Sequence, residues 1–297
     1  GIPLLLGTYL AIADVLLILL LAQNRFRMVE YMFILFVSVI GLGYVYELFI
    51  SKPDFHLILV HSVVPMISKQ SALIAVGIIG ATVMPHALFV HSWLIKNKIA
   101  GSNFGSKSKI LRYHLVDNLV SLTIAGLINA SILIMAAAAF HGSGTGVATL
   151  DKAYLTLIPL FGKFSAVVFA VALLAAGISS SVTGVLAGQS IMDGLTGFKI
   201  NVWVRRIITR LINIIPITIV IILGIEPLRI LVLSQVVLSL LIPLPLIPLI
   251  MYTSDKKIMG ELVNKKATTI LAVIFGAVIL GFNAYLIYQI IFNGVGI

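Results

Sequence analysis

Long apolar stretches dominate this chain, and short polar segments separate them. Runs such as 2–22 and 207–223 reach or approach the ~20 residues that a helix needs to cross a ~30 Å hydrocarbon core. Hydropathy places eight candidate spans near 3–22, 31–50, 71–95, 113–140, 160–192, 206–223, 228–252 and 268–292. The fifth is too long for a perpendicular crossing and is expected to tilt or to run beyond the bilayer. The segment 51–70 is semi-apolar but holds His56, His61 and Pro65, so it is expected to be an external interfacial loop and not a ninth span.

Composition agrees. The chain is 60% hydrophobic and 10% charged, with a mean hydropathy of +1.16, where a soluble domain carries roughly 25% charged residues. The reading is an all-α integral membrane protein. The chain has no cysteine, which removes disulfides, thiolate metal sites and thiol chemistry and leaves the redox compartment open. Its first residue is Gly1, and no charged segment precedes the first apolar run, so that run is not a signal peptide as written. A processed or truncated chain is expected.

The net charge of +10 is distributed by loop. Arg25 and Arg27 follow the first span. Lys96, Lys98, Lys107, Lys109 and Arg112 follow the third. Lys199, Arg205, Arg206 and Arg210 follow the fifth, and Lys256, Lys257, Lys265 and Lys266 follow the seventh. Every other lysine or arginine (Lys52, Lys69, Lys152, Lys163 and Arg229) lies near the opposite ends of the spans. This alternation follows the positive-inside rule, with both termini of the chain on the outer side. The basic charge is therefore topological, with some attraction to anionic lipid. A nucleic-acid patch is not indicated, because aromatic interleaving is absent and the basic residues sit in separate loops.

The third span carries the strongest chemical signal. Pro85 lies within it and has no N–H to offer the carbonyl of Ala81, four residues back. Gly77 and Gly80 weaken the same stretch of helix. The spacing predicts a break over Gly80–Pro85 that frees the Ala81 carbonyl, which is tolerated at membrane depth only beside protein or a hydrated cavity. Met84, three residues after Ala81, can face the same cavity and adds a soft thioether. A thioether favours transition metals over Mg²⁺ and Ca²⁺, which prefer all-oxygen shells. His86 and His91 follow, and an ionisable group inside a span points to function. On the residues alone, a packing methionine beside a proline kink and a histidine bonded to a carbonyl remain the alternatives.

The block GATVMPHALFVHS, Gly80 to Ser92, closely resembles the sixth-helix signature of the Nramp (natural resistance-associated macrophage protein) divalent-metal transporters. Further blocks resemble that family in order. ELFISKPD (Glu47–Asp54) resembles the end of the fifth helix and SSSVTGVLAGQSIMDG (Ser179–Gly194) the eighth. VRRIITR (Val204–Arg210) resembles the start of the ninth, and SQVVLSLLIPLPLIPL (Ser234–Leu249) the tenth. The resemblance covers essentially the whole chain. It implies a LeuT-like inverted-repeat transporter fold with about eight transmembrane helices present, aligned as the fourth to the eleventh of the family. The family's first three helices would then be missing, and with them a DPGN motif whose Asp and Asn bind the metal; no such motif occurs here.

On that resemblance, residues 1–56 would be the remainder of the first repeat and 57–70 an external loop. Residues 71–253 would be the second repeat, and 254–297 a cytoplasmic loop with an additional C-terminal helix. Ala81 would give its carbonyl and Met84 its sulfur to the metal, and Gln235 matches a glutamine that approaches the metal in occluded states. His86 matches a histidine of the proton route, where an ordinary imidazole pKa near ~6.5 suits transfer. Arg205 and Arg206 match a cytoplasmic arginine pair on that route, although the residues alone read as an interface anchor. Asp14, Glu47 and Asp117, within or near spans, read as packing pairs.

The implied activity is proton-coupled import of Mn²⁺ or Fe²⁺ by alternating access in the cell membrane. The metal is then substrate, and no resident cofactor is expected. The chain departs from the family pattern at Ile178, at Ala87 and over Ile242-Pro243-Leu244-Pro245, which bears on gating. Two rivals stand beside this reading. A LeuT-fold amino-acid or sodium-coupled carrier would have no use for the Met84 sulfur. An intramembrane enzyme would need a nucleophile–base pair or a His-rich cluster, and the sequence offers neither.

Overall fold

The computed structural model describes residues 5–10, 13, 18, 26–64, 69–100, 107–140, 150–195 and 201–293. Among these residues the regular elements are helices, the structure that satisfies its backbone polar groups without help from a neighbour in lipid. In chain order they are α1 (Phe26–Ser51), α2 (Phe55–Val63), α3 (Lys69–Thr82), α4 (Pro85–Ala100), α5 (Lys107–Phe140) and α6 (Leu150–Phe161). There follow α7 (Lys163–Leu195), α8 (Val202–Ile222), α9 (Pro227–Leu241), α10 (Pro243–Ser254), the short α11 (Lys256–Met259) and α12 (Lys266–Asn293).

Among the described residues six stretches are long and apolar enough to cross a membrane: 30–51, 71–96, 112–140, 163–194, 227–254 and 266–292. They fall on six of the eight expected spans. The first expected span, 3–22, lies largely outside the described residues. The sixth forms α8, a helix of 21 residues, but Arg205, Arg206 and Arg210 crowd its first half and confine its charge-free run to Leu211–Ile222. The expected loop 57–70 differs in its first half, which belongs to α2. Asp54 caps that helix, its Oδ1 accepting from the N–H groups of His56 at 2.8 Å and Leu57 at 3.2 Å. Nine residues make only about 13 Å of helix, too short to cross.

The chain forms two compact units, each from separate stretches. The first (1–65, 109–189 and 200–221) packs small residues of α5, α6 and α7 against aromatic ones. Tyr44, Met135, Ala139, Leu157, Ala166, Phe169 and Ala172 are buried together, with the Tyr44 and Phe169 rings edge to face at 6.4 Å. Gly162, at φ +90°, turns α6 into α7. The 33 residues of α7 span about 50 Å at 1.5 Å per residue, so this helix outruns a ~30 Å core, as its length in the sequence predicts.

The second unit (66–108, 190–199 and 222–297) centres on α3, α9 and α12. Val76, Val236 and Leu286 are buried at their junction, with Leu73, Phe282 and Ile290 around them. A polar joint lies at the end of α9. Pro243 has no N–H for the carbonyl of Ser239, four residues back. Two other donors reach that carbonyl instead: Ile242 N–H at 3.2 Å and Asn283 Nδ2 of α12 at 2.8 Å. Ser239 Oγ in turn donates to Asn283 Oδ1 at 2.8 Å, and both residues are buried. A backbone defect created by proline is thereby closed by a side chain 44 positions away.

Asn283→Leu should therefore cost more than Ser239→Ala. The first leaves a buried carbonyl short of a donor, at about 1–2 kcal/mol. The second keeps both donors on that carbonyl and strands only Asn283 Oδ1, on a side chain that can readjust, so it should cost less, about 1 kcal/mol. Denaturant unfolding in lipid bicelles measures both, and equal losses would return the pair to an ordinary side-chain contact.

Candidate functional site

The break in the third expected span is present, and it lies between α3 and α4. Helical bonding runs to Val83, whose N–H donates to Ile79 at 2.8 Å, and resumes with Ala87 N–H donating to Met84 at 3.1 Å. Val83 and Met84 are outside both helices. The interruption thus starts three residues later than Gly80, because the missing donor is that of Pro85. Pro85 is buried as the first residue of α4, Met84 is half-buried, and Ala81 is exposed in the last turn of α3. Among the described residues no group donates to the Ala81 carbonyl. This carbonyl sits at the C-terminal, electronegative end of α3, where the helix dipole favours a cation.

Gly80 has a different role from the expected one. It remains helical, and what it supplies is room. A Cβ at this position would land on the carbonyl oxygen of Gln235, with Gln235 C and Ser239 N each at 2.9 Å. The backbones of α3 and α9 therefore meet at Gly80, one residue before Ala81, and this contact fixes Gln235 beside the broken end of α3. Gly77, one turn earlier, is less demanding: a Cβ there would meet Val232 and Val236 at 3.7 Å.

Gln235 is half-buried. Its Oε1 is buried with no hydrogen-bond donor among the described residues, while its Nε2 reaches only Ser234 Oγ at 3.4 Å. A buried amide oxygen without a donor carries a desolvation cost that a bound cation would remove. Ala81, Met84 and Gln235 belong to one unit and offer a backbone carbonyl, a thioether and an amide oxygen. All three are neutral. Among the described residues no group of three or more His, Cys, Asp or Glu could hold a metal ion.

His86 is the second residue of α4 and half-buried, whereas His91 is exposed. Arg205 and Arg206 lie on α8, in the other unit. Arg206 is buried, its guanidinium carbon 4.9 Å above the Trp203 ring. The partners in two polar pairings could not be read from the sequence. Trp93 Nε1 of α4 donates to Asp193 Oδ2 near the end of α7 at 3.2 Å. In the first unit Glu47 is fully buried and faces the Ser165 hydroxyl, also fully buried, without a bond of good geometry. An acidic residue four positions from the end of an apolar helix was the available signal for Glu47. Nothing local marks Ser165 as its neighbour.

The chain matches the family model described as "Nramp: Natural resistance-associated macrophage protein-like" over residues 1–289. It is 44% identical over 274 residues to a divalent metal cation transporter MntH of Acidiphilium cryptum, covering 92% of this chain and 62% of that one. A protein of the same name from Brucella suis is 43% identical over 296 residues, covering 97% and 65%. Another, from Deinococcus radiodurans, is 38% identical over 292 residues, covering 98% and 66%. The chain thus spans a little under two thirds of the length of these relatives. Among solved structures, the manganese transporter of Eremococcus coleocola, in complex with an aromatic bis-isothiourea substituted compound, superimposes with a TM-score of 0.75 at 26% identity. That likeness covers 97% of this chain and 64% of the other.

The two glycines of α3 give a paired prediction. Gly80→Ala should drive α9 away from α3 and lower the thermal unfolding midpoint by several degrees, since the clash is with backbone. Gly77→Ala should be tolerated. Equal effects in thermal denaturation would mean that the close approach at Gly80 does not hold the unit together.

Proposed function

Because this multi-pass membrane chain belongs to the Nramp family, we propose that it works in a proton-coupled transporter that imports a divalent transition-metal ion, Mn²⁺ or Fe²⁺, by alternating access. One observation carries the proposal: a proline at membrane depth leaves the Ala81 carbonyl without a donor beside a methionine, while Gly80 holds Gln235 next to it. Half-helix ends with unwound carbonyls are how transporters of inverted-repeat architecture hold cations near the membrane midplane. The donor set selects the metal class. Sulfur contributes little to Ca²⁺ or Mg²⁺ and more to softer ions of the Mn²⁺–Fe²⁺ type.

Three neutral donors do not balance a double charge in a low-dielectric site. The resemblance assigns the balancing carboxylate to the Asp of the DPGN motif on the family's first helix. We therefore assign Ala81, Met84 and Gln235 to one wall of the metal site. Residues 71–253 would form the second inverted repeat, 1–56 part of the first, 57–70 the external connection, and 254–297 the cytoplasmic loop with the last helix. His86 follows the break directly and would exchange a proton during the transport cycle. Arg205 and Arg206 would serve the proton path and cytoplasmic closure. Gly80 and Pro85 shape the wall without binding.

Met84→Ala in the complete transporter tests the assignment. Water would replace the sulfur, so Mn²⁺ affinity should fall by about 1–2 kcal/mol, roughly five- to thirtyfold. The preference for Mn²⁺ over Ca²⁺ should shrink with it. Competition uptake into proteoliposomes with excess Ca²⁺ reads both, and an unchanged ratio would return Met84 to packing.

A further inference from the structure

A groove of about 220 Å³ runs between α10 and α12, walled only by apolar residues that include Ile242, Leu246, Ile250, Met251, Val273 and Gly276. Gly276 opens it: the space a Cβ would take there is bounded by Leu246 Cδ2 at 3.5 Å and Ile250 Cδ1 at 4.0 Å. Both walls belong to stretches long and apolar enough to cross the bilayer, so a groove open on this face would meet hydrocarbon.

The turn that joins these two helices is basic and well built. It presents Lys256, Lys257, Lys265 and Lys266, all exposed, against Asp255 and Glu261. Asp255 is engaged in capping, its Oδ1 accepting from the Lys257 N–H at 2.7 Å. Asn264 pins the turn by donating its N–H to the Thr253 carbonyl at 3.0 Å and its Nδ2 to Thr253 Oγ1 at 2.9 Å. The Ser254 and Thr269 hydroxyls pair across its base at 3.1 Å. Along the helices, Met251 lies five positions from Lys256 and Val273 seven from Lys266, roughly 10 Å of helix. A charged end and an apolar slot are therefore about one headgroup depth apart. The alternation of basic loops puts this turn on the cytoplasmic face, where anionic lipids give the surface its negative potential.

We propose that the groove and the lysine turn together bind one anionic phospholipid, with an acyl chain between α10 and α12 and the headgroup phosphate on the lysines. The site is separate from the broken helix and does not depend on which ion is carried. Gly276 gives the chain its depth, and the pinned turn gives the headgroup fixed cations. Each lysine near the surface contributes about a fivefold preference for an anionic lipid.

The test is native mass spectrometry of the chain from micelles doped with equal amounts of phosphatidylglycerol and phosphatidylcholine of identical acyl chains. Phosphatidylglycerol should be retained at least tenfold over phosphatidylcholine. The variant K256Q/K257Q/K265Q/K266Q should bring the two to parity. Gly276→Leu should fill the slot and lower phosphatidylglycerol retention about tenfold with every lysine in place and helicity by circular dichroism unchanged. Ala277→Leu, on the same wall, makes the same measurement where Gly276→Leu lowers the folded yield. Equal retention of the two lipids by the unsubstituted chain would overturn the proposal. So would a phosphatidylglycerol preference that survives both groove-filling variants, which would reduce the lysines to a diffuse surface charge. A disulfide between Val273→Cys and another polypeptide would show that protein covers the groove, and would overturn it equally.

Discussion

Hydrocarbon has no hydrogen bonds to give, so a backbone carbonyl stripped of its donor inside a bilayer must find another partner or line a hydrated space. The second unit of this chain meets that constraint at several prolines, and two of them bear on the candidate site. Pro85 strips the Ala81 carbonyl and Pro243 strips that of Ser239, by the same omission of an N–H four residues on. The outcomes differ. Around Ser239 the chain tightens, Ile242 donates from three residues away, and Asn283 supplies an amide from α12. Around Ala81 the helix parts, Val83 and Met84 leave it, and no side chain among the described residues arrives. One proline makes a structural joint, and the other leaves the opening to which the proposed cation site is assigned.

The two sites are mechanically linked. Ser239 contributes its carbonyl to the joint, and its N–H lies where a Cβ at Gly80 would press. The joint thereby holds α9 against α12 while Gly80 holds α9 against α3, and Gln235 is carried between them. A cation site built on a broken helix needs such a frame, because the break itself has given up the regular bonding that would stiffen it.

The legible parts were those whose cause is local. Six spans announced themselves by hydropathy, and the Met84-Pro85 break followed from one missing N–H. The block around it also carried the family resemblance, which the family model, the relatives and the superimposed transporter bear out. What the sequence concealed depended on distant partners. Gly80 read as a helix weakener, since nothing near it signals that Gln235 packs onto it from α9. Asn283, inside an apolar helix, gave no hint that it answers Pro243, and Asp193 none that it holds Trp93. The helix at Phe55–Val63 was hidden by a composition midway between span and loop, and its cap at Asp54 was the one clue available. In α8 the apolar run and the three arginines pointed in opposite directions.

Pro85→Ala tests the central claim most directly, because it restores the N–H and removes the ring while leaving Met84 and Gln235 chemically intact. The measurement is calorimetric Mn²⁺ binding to the purified complete transporter, with folded yield followed beside it. The helix should reclose onto the Ala81 carbonyl, so folding should be kept or improved while Mn²⁺ affinity falls. Normal folding with unchanged affinity would contradict the account, because the proline would then have nothing to do with making the site.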